Sequence, residues 1–145
     1  MKKLKTACSV ADILERELEP TIREWLRRVN LVPTLAAIPL GDSDRTSHLT
    51  KLYCDLIARL RLVEDVPSPV STAASVHGRV RWMQGYSPSM LVEESRVFQV
   101  TTFETLHLHQ KELDKSRVLL DVAVIADEVD AQLTETVRSF MMGAN

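Results

Sequence analysis

A chain of 145 residues, 45% hydrophobic and 26% charged, is long enough for one domain with its own core and has the balance of an ordinary globular protein. Its net charge of -2 excludes a general nucleic-acid-binding surface, which would carry a basic excess. No run approaches the roughly 20 apolar residues that span a bilayer, and MKKLKTACSV has no apolar stretch before Asp12 and Glu15, so neither a membrane span nor a signal peptide is expected. Cys8 and Cys54 lack metal-type spacing and fit a reduced cytoplasmic protein in which Cys54 is a buried free thiol.

Helical periodicity dominates the chain. Leu14, Leu18, Ile22, Trp25 and Val29 recur every three or four residues, and Ser9 with Asp12 reads as an N-cap with an imperfect capping box. A first helix is expected over about 9–31, kinked or split near Glu19 by Pro20. LVPTLAAIPLGDSD, punctuated by Pro33, Pro39 and Gly41, reads as a connector packed on the bundle. Asp42 or Ser43 should cap a second helix over about 44–64, with Leu49, Leu52, Leu56, Leu60 and Val63 inward. Pro67 and Pro69 break the chain. Ser71 then caps a third helix whose expected inward ridge is Ala73, Val76, Val80 and Met83, and Gly85 stops it in a left-handed cap. Ser87-Pro88 starts a fourth helix over about 88–109, with Leu91, Phe98, Thr102 and Leu106 inward. After HQKELDKS, Asp114 is the expected cap of a long fifth helix. Its inward stripe is Leu119, Val122, Ala126, Val129, Leu133, Val137 and Phe140, and Asp121, Asp127, Glu128, Asp130 and Glu135 face out. No segment alternates like a strand. The expected fold is an all-α, single-domain bundle of about five helices with a long C-terminal helix and a core over about 9–142.

The polar residues concentrate at the third helix and the turn after it. His77, Arg81 and Gln84 share one helical face, and Glu94 falls in the Leu91–Phe98 stripe across the Gly85 turn. A carboxylate in that stripe needs a partner, and His77, Arg79 and Arg81 are the nearest. Such a pair locks a helix corner without any ligand; the same residues could also line a pocket or carry a signal between helices. Trp82 and Tyr86 are expected as core residues with polar tips, and Met83 and Met90 as core filler. Met141 and Met142, if exposed, would mark a contact with another chain. His48 is isolated, and His107 and His109 do not share a face, so no metal site is expected. No nucleophile–base pair or opposed carboxylates appear, so no catalytic residue is assigned and an enzyme is not expected.

The stretch HGRVRWMQGYSPSMLVEESR, residues 77–96, resembles the N-terminal domain of RsbRD-type RsbT co-antagonist proteins, which is also found at the head of some bacterial sensor histidine kinases. The resemblance rests on His77-Gly78, Arg81, Gln84-Gly85-Tyr86 and Glu94-Ser95-Arg96, with Trp25 and the proline-broken connector compatible. It departs at Ser95, where a larger side chain is common. The resemblance implies a non-catalytic helical input domain of bacterial stress or two-component signalling that acts through its last helix. The candidate ligand or relay cluster is then His77, Arg81, Gln84, Tyr86, Glu94 and Arg96, with no cofactor. The expected partners are a second copy of the chain, other signalling proteins or an output domain, with a small-molecule ligand left open. Two alternatives stand beside it: a phosphotransfer bundle with His77 as acceptor, and a haem- or cofactor-binding sensor using His77, His107 or His109.

Overall fold

The computed structural model describes residues 7–62 and 69–143, and these residues form an all-α fold. Helix α1 (Val10–Arg16) opens with the expected capping box, in which Ser9 Oγ accepts from the Asp12 amide at 3.1 Å and the Asp12 carboxylate accepts from the Ser9 amide. The chain divides at Glu17 rather than Glu19. Helix α2 (Leu18–Val29) carries Pro20 in its first turn, where the missing amide would have had no carbonyl to bond within the helix. The connector is itself partly helical, as α3 (Pro33–Ala36) and α4 (Asp42–Thr46). The expected second helix is α4 plus α5 (Leu49–Leu60), parted at Ser47 and His48; its expected end, with Val63, and the break at Pro67 lie outside the described residues.

Ser71 caps α6 (Thr72–Met83) by accepting from the Ala74 amide at 3.0 Å. Gly85 takes φ +87°, and Ser87 then caps α7 (Pro88–Leu108) with proline at its first position. A 3-10 turn at Gln110–Glu112 leads to Leu113, which forms an isolated bridge with Cys8. Helix α8 (Val118–Gly143) begins later than Asp114, which instead closes a turn by accepting from the Ser116 amide at 3.0 Å.

The core joins α1, α2, α5, α7 and α8 around Leu14, Trp25, Tyr53, Leu56, Phe98 and Ile125. Tyr53 and Phe98 stack with ring centroids 4.2 Å apart. The Thr102 hydroxyl donates to the Phe98 carbonyl, so the bond at 3.0 Å between Tyr53 and Thr102 is donated by the tyrosine. The expected inward residues of α7 are buried, as are Leu49, Leu52 and Leu56 of α5.

Helix α6 turns its face the other way, and α8 departs from its expected face in part: Val129 and Phe140 of the expected stripe are buried and Leu133 and Val137 pack against the core, but Leu119 is outside and Glu128 inside. Val76 and Met83 of the expected ridge are 47% and 64% exposed, while Ala74, Gly78 and Arg81 face inward. Leu119 is 82% exposed, and the buried face of α8 runs through Ile125, Glu128, Val129, Gln132, Thr136, Ser139 and Phe140. Glu128, expected outside, lies inside, 3.7 Å from the Arg59 guanidinium and accepting from Gln132. The cause is the close approach of the two helices, which run in the same direction. A Cβ built on Gly78 would lie 2.1 Å from the Thr136 carbonyl oxygen, and the Thr136 and Ser139 hydroxyls donate to the Ala74 and Ser75 carbonyls at 3.2 and 2.5 Å. Bulky ridge residues would hold the axes at an ordinary spacing of ~8–10 Å, whereas small and hydroxyl-bearing ones let backbone meet backbone. Trp82 and Met83 are therefore at the surface rather than in the core, with the Trp82 ring against Gly143. Met90 packs against the core as expected. Met141 and Met142 are exposed, and so is Cys54, which points away from the Leu52–Leu56 face of its helix; both cysteines are free.

Candidate functional site

Five of the six expected site residues meet in one buried corner. Helix periodicity puts His77 and Arg81 one turn apart on α6, facing α4 and α7. The left-handed Gly85 folds the chain back, bringing Tyr86 inward and starting α7 so that Glu94 lands opposite Arg81. Arg81, 1% exposed, holds Glu94, 4% exposed, in a bidentate pair, both bonds at 3.1 Å. Its remaining donors go to Gln84 Oε1 at 2.7 Å, the Arg45 carbonyl at 2.6 Å and the Asp44 carbonyl at 3.4 Å. The Tyr86 hydroxyl donates to Glu94 at 2.9 Å, and the Tyr86 ring lies under the Arg81 guanidinium, 4.7 Å from its centroid.

Two further residues belong to the corner and escaped the sequence reading. Arg45 of α4 is buried and donates to the Leu35 and Ile38 carbonyls and to the Tyr86 hydroxyl. His48, read as isolated, meets His77 edge to face, with the two Nδ1 atoms 3.4 Å apart. The other nitrogen of His77 lies 3.5 Å from Glu94. Nothing in the local sequence marks either residue. Arg45 sits in a helix too short to show a period, and His48 sits at a break. Arg96, by contrast, lies outside the corner, exposed and paired with Glu93, and Arg79 is also exposed. His107 is exposed, and His109 pairs with Glu112 far from His77.

Burial alone would push the Glu94 carboxyl up. The His77 bond, the Arg81 charge and the Tyr86 hydroxyl outweigh it and hold Glu94 below its ordinary range, so it is an anion. Burial, with Glu94 beside it, holds the Tyr86 phenol well above its ordinary value. Burial is also the main reason that His48 is depressed, with His77, Arg81 and Lys51 adding to it. Beside the corner lies a cavity of about 40 Å³, whose walls include Trp25, Arg45, Leu52, Leu91, Ser95 and Phe98.

Among the described residues no group of three or more His, Cys, Asp or Glu is placed to hold a metal ion, and no helix is long and apolar enough to cross a membrane. No family model, curated protein or solved structure matches this chain.

Proposed function

We propose that this chain is a non-catalytic input or interaction module of bacterial signal transduction, of the stress-regulator or two-component type, with α8 as its output. The observation that carries this reading is the junction of α6 and α8. The helix that supplies His77 and Arg81 to the buried corner is hydrogen-bonded through its carbonyls to α8, so the state of the corner and the placement of α8 are mechanically linked. The resemblance of residues 77–96 to RsbRD-type domains supplies the cellular setting. A cytoplasmic homodimer that meets other signalling proteins or an output domain belongs to the same proposal.

The corner favours this over the two alternatives. Both ring nitrogens of His77 face neighbours, His48 and Glu94, whereas a phosphoacceptor needs one open to its partner protein. The cavity that His77 lines is about 40 Å³, far below what a porphyrin fills, and His107 and His109 are not brought to it. Every N–H of Arg81 is spent on an acceptor, and Glu94 is held as an anion by its donors, so neither is poised to move a proton.

Hydrogen exchange of wild type and His77→Ala tests the relay. Amides along α8 should exchange faster in the variant while those of α1 and α2 keep their rates. An unchanged α8, or uniform acceleration throughout, overturns it. Native mass spectrometry of the same proteins should show a dimer; a monomer at micromolar concentration removes that part of the proposal.

A further inference from the structure

The contact between His48 and His77 has a direction, and the neighbours of the two rings fix it. Glu94 is an anion and only accepts, so the His77 Nε2 that faces it at 3.5 Å carries a hydrogen. A neutral imidazole has one N–H. His77 Nδ1 is then bare, and the 3.4 Å bond between the two Nδ1 atoms is donated by His48. The start of α5 gives the same answer independently. The Ser47 hydroxyl spends its hydrogen on the Asp44 carbonyl at 3.1 Å, so its 3.3 Å contact with His48 Nδ1 is also donated by the ring. Both routes leave His48 Nε2 without a hydrogen. That nitrogen has no partner among the described residues. It is not one of the enclosed unpaired atoms there, which are the Trp25 indole nitrogen and the Thr101 hydroxyl oxygen, so part of its surface is open to solvent.

A bare, open nitrogen thus stands at one end of a row and a buried anion at the other. When water delivers a proton to His48 Nε2, an N–H bond forms there. The Nδ1–H bond of His48 can then break as its proton passes to His77 Nδ1. His48 is neutral again with its hydrogen on Nε2. His77 is an imidazolium that donates to His48 on one side and to Glu94 on the other. The bond between the rings is kept with its direction reversed, and the Ser47 hydroxyl is free to turn toward His48 Nδ1.

The surrounding charges decide which ring keeps the proton. His48 faces the cations Lys51 of α5 and Arg81 of α6, which oppose charging it. Along the groove that His48 borders, Asp55 is taken by the Ser71 hydroxyl at 2.6 Å, Arg59 faces Glu128, and Cys54 is the remaining titratable group. His77, with a side chain 12% exposed, has the Glu94 carboxylate of α7 beside it. Arg45 of α4 shares a cavity wall with His77 but spends its donors on carbonyls and the Tyr86 hydroxyl, and α8 brings only the uncharged Gln132 and Thr136 there.

We propose that His48 and His77 form a two-ring proton conduit that carries one proton from solvent into the buried corner, where it rests on His77 against Glu94. As a conduit it stands on the contacts of the two rings alone. As the stimulus of an input module, with acidification as what the module reads, it rests on the function proposed above. A second cation on Glu94 then shares the carboxylate that Arg81 holds, and Arg81 sits on the helix bonded to α8.

Nitrogen-15 NMR, which separates protonated from bare ring nitrogens, is run on the wild-type chain from about pH 8 to about pH 5, a range that spans the ordinary histidine value. At the alkaline end His48 should carry its hydrogen on Nδ1 and His77 on Nε2. On acidification one proton should enter the pair. His77 should become doubly protonated as His48 moves its hydrogen from Nδ1 to Nε2, both with one midpoint. His48→Gln keeps an amide N–H for His77 Nδ1 but cannot pass a proton, so the averaged His77 signals of wild type should broaden or split. A His48 hydrogen on Nε2 at the alkaline end, unrelated midpoints for the two rings, His48 charging first, or unaltered His77 signals in folded His48→Gln overturns the conduit. Hydrogen exchange at the two ends of the titration, corrected for the intrinsic pH dependence of exchange, separates the two proposals. Faster exchange along α8 that α1 and α2 do not share supports the role as stimulus. A coupled titration with α8 unchanged, or changed only together with α1 and α2, keeps the conduit and overturns that role. Absence of a coupled titration removes the conduit, while the His77→Ala experiment still decides the link from the corner to α8.

Discussion

All five N–H groups of Arg81 meet acceptors, and three of those acceptors come from parts of the chain that a helix face does not show: the carbonyls of Asp44 and Arg45, and Glu94 across the turn. A group so enclosed has no water to fall back on. Removing one partner therefore strands a charge, and Arg81→Met or Glu94→Leu alone should each cost about 3–5 kcal/mol in denaturant unfolding. The double variant should recover part of that loss, because no buried charge is then left unpaired, while the Tyr86 hydroxyl and the Asp44 and Arg45 carbonyls still lose a partner. Single losses under ~1 kcal/mol, or a double variant as unstable as the sum, would show that the pair does not carry the corner. The pairing itself could be read from sequence, since Glu94 stands in an apolar stripe and Arg81 lies across a tight turn. Arg45 could not, because its place depends on how the connector folds back.

At the scale of the element, α6 and α8 are where hydropathy misled. Apolar period alone put Val76, Met83 and Leu119 inside, yet these are exposed; in α8 it placed Val129 and Phe140 correctly and missed the buried Glu128, Gln132, Thr136 and Ser139 beside them. What decides is the partner. Gly78 and Ala74 admit a backbone, Thr136 and Ser139 supply donors for α6 carbonyls, and Arg81 meets Glu94; none of these complements is visible within one helix. The caps were legible at Ser9, Ser71 and Ser87, and so was the stop at Gly85, because each rests on chemistry within four residues. Gly78→Ala places a methyl 2.1 Å from a main-chain oxygen that cannot rotate away, so thermal unfolding should show a loss of about 1–3 kcal/mol or more. Gly41→Ala, with nothing within 4 Å of the new carbon, should be close to neutral. Equal behaviour of the two would mean that the helices separate freely.

For the whole molecule, the titrating groups combine into one acid limb. His48 is held below its ordinary value by burial first, then by His77, Arg81 and Lys51, so between its folded and unfolded values the unfolded chain binds the proton. That contribution is complete above the ordinary histidine value near 6.5 and is lost as pH falls below it. Carboxyls act in the same direction lower down. Glu94 is depressed by its donors against burial, while Glu24 and Glu112 are brought to about 2 by hydrogen bonds from Arg27 and Arg16 respectively, so their share is lost as pH falls below about 4.5. Asp121, raised by burial, works the other way. Tm should therefore fall from pH 7 to pH 5, and His48→Gln should flatten that first decline while leaving the steeper one below pH 4.5. A His48→Gln profile parallel to wild type would show that the ring does not titrate across folding.

The bonds from Thr136 and Ser139 end on carbonyls of adjacent residues, Ala74 and Ser75, and Gly78 sits under the Thr136 carbonyl. A slip of one residue in either direction would break both bonds and drive a side chain into a main chain. The two rods are therefore held in register and cannot slide past each other. Gly85, at φ +87°, ends α6 in a closed turn, where the Tyr86 amide donates back to the Arg81 carbonyl at 3.1 Å. The register is kept to the far end of the pair, where Gly143 lies under the Trp82 ring, so any load on one helix is shared by the other over their whole length of contact.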